Sequence, residues 1–172
     1  MKKYKNIMLI GFMGAGKTET GKLLAKKLKM TYVDTDDIIE KEQGMTINEI
    51  FAKKGEESFR DMETELLDEL ADLENHVIST GGGMILRPGN VKKMKSMGIM
   101  VLLWADPDTV YERVKRAGTR PLLNVEDQKG KIREILEVRG PIYKAVADLE
   151  VDTSRFSPEE ASGKIVKFLK EE

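Results

Sequence analysis

The segment Gly11-Phe-Met-Gly-Ala-Gly-Lys-Thr18 constrains this chain more than any other feature, because of what stands on either side of it. A short apolar run, Asn6–Ile10, leads into it. An amphipathic stretch, Lys17–Lys29, leads out, with Leu24 and Leu28 on one side and Lys22, Lys26, Lys27 and Lys29 elsewhere. A G-x-x-x-x-G-K-T spacing between a strand and a helix makes a phosphate cradle. Its glycines let backbone N–H groups converge on an anion without interference from Cβ atoms, and the helix N-terminus adds a favourable dipole. In this frame Gly14, Ala15, Gly16, Lys17, Thr18 and Glu19 are the expected nucleotide contacts. Lys17 would reach the β- and γ-phosphates, and the Thr18 hydroxyl would ligate Mg²⁺. A glycine-rich turn with no ligand is the plainer alternative, but pattern and both flanks agree against it.

Apolar runs alternate with amphipathic stretches along the rest of the chain, the pattern of β-α-β units on a parallel sheet. Strands are predicted at Asn6–Ile10, Thr31–Val33, Val77–Ser79, Ile99–Trp104 and Leu149–Val151. Helices are predicted near Lys17–Lys29, Asp36–Glu42, Ile47–Lys53, Glu56–Leu73, Pro88–Met97, Pro107–Ala117, Asp127–Val146 and Pro158–Lys170. Thr46 with Glu49 reads as a capping box, and Asp106-Pro107 and Ser157-Pro158 each set a cap before a first-turn proline. Ligands of open parallel sheets bind beyond the carboxyl ends of the strands. There this sequence carries Gly11–Thr18, Asp34–Asp36, Thr80–Gly83, Asp106 and Asp152–Ser154, so one rim is expected to collect the chemistry.

At 172 residues, without repeats or an obvious linker, the chain reads as one domain. Residues 117–130 have the loosest composition and form the candidate mobile loop. The 29 basic and 30 acidic side chains nearly cancel, so long-range attraction to nucleic acid or anionic membranes is not expected and an anion site must be local. Absence of cysteine excludes disulfides, thiolate metal sites and a Cys nucleophile. Lys2, Lys3 and Lys5 before Ile7–Phe12 imitate a signal peptide, but the apolar run is short and Lys17 interrupts it, so a cytoplasmic protein is expected. His76, the only histidine, reads as a solvated residue ahead of a strand.

A phosphate cradle specifies a nucleotide, not a reaction. The sequence lacks an N-K-x-D guanine motif, and its third strand runs into Thr80-Gly-Gly-Gly83 rather than the acidic end of motor-type ATPases. A small metabolic kinase is the class that remains. Its acceptor side has several candidates. Asp34 could hold a metal-bound water, and Asp36 could either orient an acceptor hydroxyl or merely cap a helix. Arg60 and Glu63 at i,i+3 read most simply as a surface ion pair. Gly81, Gly82 and Gly83 allow close backbone approach, and Arg139 could complement a helix dipole.

Taken together, GFMGAGKT (11–18), DTD (34–36), FRDME (59–63), STGGG (79–83), RPLL (120–123) and RGPIY (139–143) resemble the shikimate kinase family over essentially the whole chain. The resemblance implies a P-loop three-layer α/β/α fold of nucleoside-monophosphate-kinase type, with a five-stranded parallel sheet, a substrate-binding region at about 34–63 and a mobile lid at about 114–126. It implies transfer of the ATP γ-phosphoryl group to the 3-hydroxyl of shikimate, with Mg²⁺, by a monomer. Lys17, Asp36 and Arg120 would be catalytic. Asp36 would bind ring hydroxyls and act as the base. Arg60 and Arg139 would hold the carboxylate, with Glu63 orienting Arg60 and Gly82 approaching between Gly81 and Gly83. Ile47, Phe51 and Phe59 would wall the pocket, Arg120 would close over the phosphates, and Arg116 and Arg155 would flank adenine. The three residues between Arg116 and Arg120 are fewer than in many members of the family. A kinase for a sugar acid such as gluconate, or a nucleotide-binding protein without catalysis, are the competing expectations.

Overall fold

The computed structural model describes residues 4–117 and 121–172. Its five strands are β1 (Asn6–Ile10), β2 (Thr31–Asp34), β3 (His76–Ser79), β4 (Gly98–Trp104) and β5 (Leu149–Asp152). They form one parallel sheet in the order β2-β3-β1-β4-β5. Between them run α1 (Lys17–Leu28), α2 (Thr35–Gln43), α3 (Ile47–Lys54), α4 (Glu56–Glu69), α5 (Pro88–Met97), α6 (Pro107–Ala117) and α7 (Gln128–Val146), with α8 (Pro158–Glu171) last. The chain leaves β1 towards β2 on one side and later passes to β4 on the other. That reversal opens a crevice at the carboxyl end of β1, where the cradle sits.

Alternation along the strands sorts the core into two layers. Ile7, Leu9, Val77, Ile99, Val101 and Leu103 face α1 and α8, meeting Leu24, Ala25, Ala161 and Ile165. Met8, Ile10, Ile78, Met100 and Leu102 face the other way, onto Met94, Met97, Ile132, Leu136 and Tyr143 from α5 and α7. Every residue of β1 is buried, as a central parallel strand covered on both faces requires. A smaller cluster of Ile39, Ile47, Ile50, Phe59 and Leu66 gives α2, α3 and α4 their own core. The predicted acceptor region is therefore a packed sub-structure rather than a loop.

The expected caps form. Thr46 and Glu49 make both bonds of a capping box, as do Ser157 and Glu160, and the Asp106 carboxylate accepts from the Thr109 N–H at 2.9 Å. Most boundaries fall within one residue of expectation, and two of the differences have a visible cause. Helix α4 stops at Glu69, four residues before Leu73, and the chain turns there because the buried Asn6 amide donates to the Leu73 carbonyl at 2.6 Å and to that of Met97 at 3.0 Å. His76 belongs to β3, half-buried, its backbone N–H donating to Asn6 Oδ1 at 3.0 Å. Among the described residues no helix is long and apolar enough to cross a membrane.

Candidate active site

A cleft of about 600 Å³ runs along the carboxyl ends of the strands, from the loop before α1 to the cluster formed by α2, α3 and α4. At one end the loop turns where Gly14 (φ 76°) and Gly16 (φ 88°) take left-handed conformations that residues with a Cβ adopt at a cost. Gly14, Ala15, Gly16, Lys17, Thr18 and Glu19 all line the cleft. Lys17 Nζ donates to the Gly11 carbonyl and, at 3.1 Å, to that of Phe12. The ammonium thus sits folded over its own loop.

Two residues brace this loop that the sequence reading did not single out. Arg113, on α6, donates to the Gly14 carbonyl at 2.9 Å, to Thr153 Oγ1 at 3.0 Å and to the Thr153 carbonyl at 2.6 Å. The Thr153 hydroxyl in turn donates to the Ala15 carbonyl at 2.7 Å. Thr153 lies on the predicted rim after β5, but Arg113 is one basic residue among several on an amphipathic helix, and no local signal marks it. Arg116 also lines the cleft, with Phe156 and Pro158. The Arg155 side chain is 79 % exposed, pairs with Asp152 at 3.5 Å, and lies apart from the cleft lining. Arg120 lies outside the described residues.

The paired aspartates divide their work. Asp34 is the N-cap of α2, its Oδ1 accepting from the N–H groups of Asp36 at 2.9 Å and Asp37 at 3.2 Å. That releases Asp36 from capping, and its side chain faces the cleft from the first turn of α2. Asp34 Oδ2 lies 3.4 Å from the Tyr32 hydroxyl, so an edge of that carboxylate also reaches the cleft, near Thr18.

At the acceptor end, Arg60 and Glu63 depart from the surface-pair reading. Arg60 is 6 % exposed and Glu63 0 %, and they bond at 2.8 Å, while Glu56 adds a second contact to Arg60 at 3.3 Å. Burial pushes the Glu63 carboxyl up to about 7, although the neighbouring Arg60 charge pulls it down. One Glu63 oxygen, Oε1, and Arg60 Nε are buried with no hydrogen-bond partner among the described residues. Arg139, 6 % exposed on α7, completes the group, its guanidinium 5.9 Å from the centre of the Phe12 ring. No carboxylate among the described residues pairs with it. The Glu63 charge acts on it at longer range, and an incoming anion would add a direct partner to a cation whose burial is costly.

The three glycines after β3 now have separate reasons. A Cβ on Gly81 would lie 2.6 Å from Glu63 Oε1 and 2.9 Å from Asp36 Oδ1, and one on Gly83 would lie 2.5 Å from Arg60 Cζ. The Gly81 N–H donates to Thr35 Oγ1 at 3.0 Å. Gly82 lines the cleft between them, while Ile47, Phe51 and Phe59 close the far side, the two rings 5.2 Å apart.

A phosphate cradle at one end of a crevice and a buried, arginine-rich pocket for an anion at the other define a class: the P-loop kinases that phosphorylate small molecules. Comparisons narrow it. The family model described as shikimate kinase matches residues 13–170. The chain is 48 % identical over 163 residues to the shikimate kinase of Thermodesulfovibrio yellowstonii, covering 95 % of this chain and 94 % of that one. It is 47 % identical over 167 residues to that of Pelotomaculum thermopropionicum, covering 97 % and 96 %. Among solved structures, the shikimate kinase of Acinetobacter baumannii in complex with shikimate superposes with a TM-score of 0.94 at 38 % identity, covering 99 % of this chain and 95 % of the other. The Aquifex aeolicus shikimate kinase gives 0.80 at 37 % identity, covering 96 % of each. This chain belongs to the shikimate kinase family.

Proposed function

We propose that this chain transfers the ATP γ-phosphoryl group to the 3-hydroxyl of shikimate through the cleft just described, with its two ends serving donor and acceptor. The convergence of Lys17, Asp36, Arg60 and Arg139 on one cavity, from four separate helices, supports this assignment. At the donor end, Lys17 leaves the Gly11 and Phe12 carbonyls for the β- and γ-phosphate oxygens. Adenine lies towards Arg113, Arg116 and Pro158, where planar guanidinium groups can stack on a base. The segment at 114–126, from which Pro121 and Leu122 line the cleft, closes over the phosphates and brings Arg120 to them.

The residues near Thr18 suit Mg²⁺, because a hydroxyl and a carboxylate edge are hard oxygen donors and this ion keeps several waters and phosphate ligands of its own. Thr18 would bind it directly and Asp34 through water. When bound, the ion neutralises charge on the β- and γ-phosphate oxygens. At the acceptor end, the planar forks of Arg60 and Arg139 hold the shikimate carboxylate, with Glu63 keeping Arg60 in place. Asp36 receives the hydrogen bond of the attacking hydroxyl and its proton as the new bond forms. Gly82 approaches the ring through its backbone, against the wall of Ile47, Phe51 and Phe59.

An ADP-release assay across shikimate, gluconate and nucleoside monophosphates tests the acceptor. Turnover confined to the latter two would end the assignment. Arg139→Ala is expected to raise the shikimate KM with ATP binding intact, and Asp36→Asn chiefly to lower kcat.

A further inference from the structure

Tyr143 lies one helical turn after Arg139 on α7 and is 1 % exposed, its ring in the core layer with Ile132 and Leu136. Its hydroxyl does not end in that core. It donates to the carbonyl of Gly82, which lines the cleft. That carbonyl belongs to the peptide joining Gly82 to Gly83, and the Arg60 guanidinium lies flat against Gly83, where a Cβ would come 2.5 Å from both Cζ and Nη2. The phenol therefore holds one end of the shelf on which Arg60 rests. The other arginine stands one helical turn before it on α7, and the Arg139 charge acts on the phenol, which burial nevertheless pushes up to about 12, keeping it a donor at neutral pH. Arg60 and Glu63 lie close enough to act on it as well.

We propose that Tyr143 is a positioning residue that sets the spacing between the Arg60 and Arg139 guanidinium groups, standing one turn from Arg139 on the same helix and reaching Arg60 through the Gly82–Gly83 peptide. Two arginines on different helices, α4 and α7, must present their forks at one separation to grip one carboxylate. Their side chains are long, and a fixed bridge between their supports removes freedom that binding would otherwise have to remove. This inference rests on the reading that the two arginines hold the acceptor carboxylate.

Tyr143→Phe keeps the ring and removes the bridge. The shikimate KM is expected to rise about tenfold, the loss of one hydrogen bond of ordinary net strength, with kcat and the ATP KM changed by less than about twofold. In an Arg139→Ala background the same substitution is expected to add less than about twofold, because both changes break one unit. A lowered Tm with unchanged shikimate KM would reduce Tyr143 to core filler and overturn the inference, while a large Arg139→Ala effect beside it would leave the carboxylate reading standing. An Arg139→Ala enzyme with unaltered shikimate KM would sink both. Should the phenylalanine variant not fold, Tyr143→Met fills the same space without a hydroxyl and the same comparison applies.

Discussion

Gly83→Ala adds one methyl group, and its effect can be worked from the geometry. Gly83 has φ −99° and ψ 1°, a conformation open to alanine, so the backbone does not oppose the change. The new Cβ would instead lie 2.5 Å from Arg60 Cζ and Nη2, against an ordinary contact of 3.4–4 Å, so the guanidinium must withdraw by about an ångström. It cannot do so freely, because it is 6 % exposed, bonded to Glu63 at 2.8 Å and 5.3 Å from the centre of the Phe59 ring. A displacement of that size would misalign the proposed bond to the acceptor carboxylate. Charge-assisted hydrogen bonds contribute roughly 1.5–3 kcal/mol, so shikimate kcat/KM should fall by roughly ten- to 150-fold. Steady-state kinetics with ATP and shikimate varied separately is the assay, and the ATP KM should move by less than about twofold. If shikimate kcat/KM stayed within about twofold of the parent, Arg60 would not be the group that binds the carboxylate from this position.

Other expectations test separate parts of the site. Glu63 titrates near 7 when folded against an ordinary 4.5, so the native state holds the extra proton between those values. Its contribution to stability is full below about 4.5 and is lost as pH rises through about 7. Denaturant midpoints across that range should therefore fall with pH in the parent relative to Glu63→Gln, and parallel curves would show that the carboxyl titrates normally. Arg113→Ala removes bonds to Gly14 and Thr153 and should weaken ATP binding about tenfold by calorimetry, with shikimate binding unchanged. Equal ATP affinity would mean the loop needs no brace. Thr46→Ala breaks the capping box of α3 and should cost about 1 kcal/mol in unfolding free energy with little change in kcat.

Strand β1, helix α5 and helix α6 stand where the alternation of apolar and amphipathic runs puts them, because each is decided by residues within one or two turns of itself. The same holds for the Thr46 and Ser157 boxes and for the rim, where Gly14, Asp36, Gly82 and Thr153 all line the cleft. Where α4 stops was not legible, since the side chain that claims the Leu73 carbonyl is Asn6, far back in the chain. Nor was the division between Asp34 and Asp36, because either carboxylate can cap a helix and the extended backbone at Asp34 (φ −121°, ψ 124°) decides which one does.

The sequence by itself determined that this chain carries a phosphate-cradle motif at the start of a helix and lays down a parallel sheet, since both follow from contiguous residues and short periods. Burial belongs to the tertiary structure. An arginine and a glutamate three residues apart look alike on an exposed helix and in a sealed pocket, and only the packing of α4 against the loop after β3 makes Arg60 and Glu63 a high-stakes pair. Likewise only the fold brings Arg139 beside them, buried, where the Glu63 charge reaches it. Local propensity acts over a few residues, whereas the energy of a buried charge depends on every element around it.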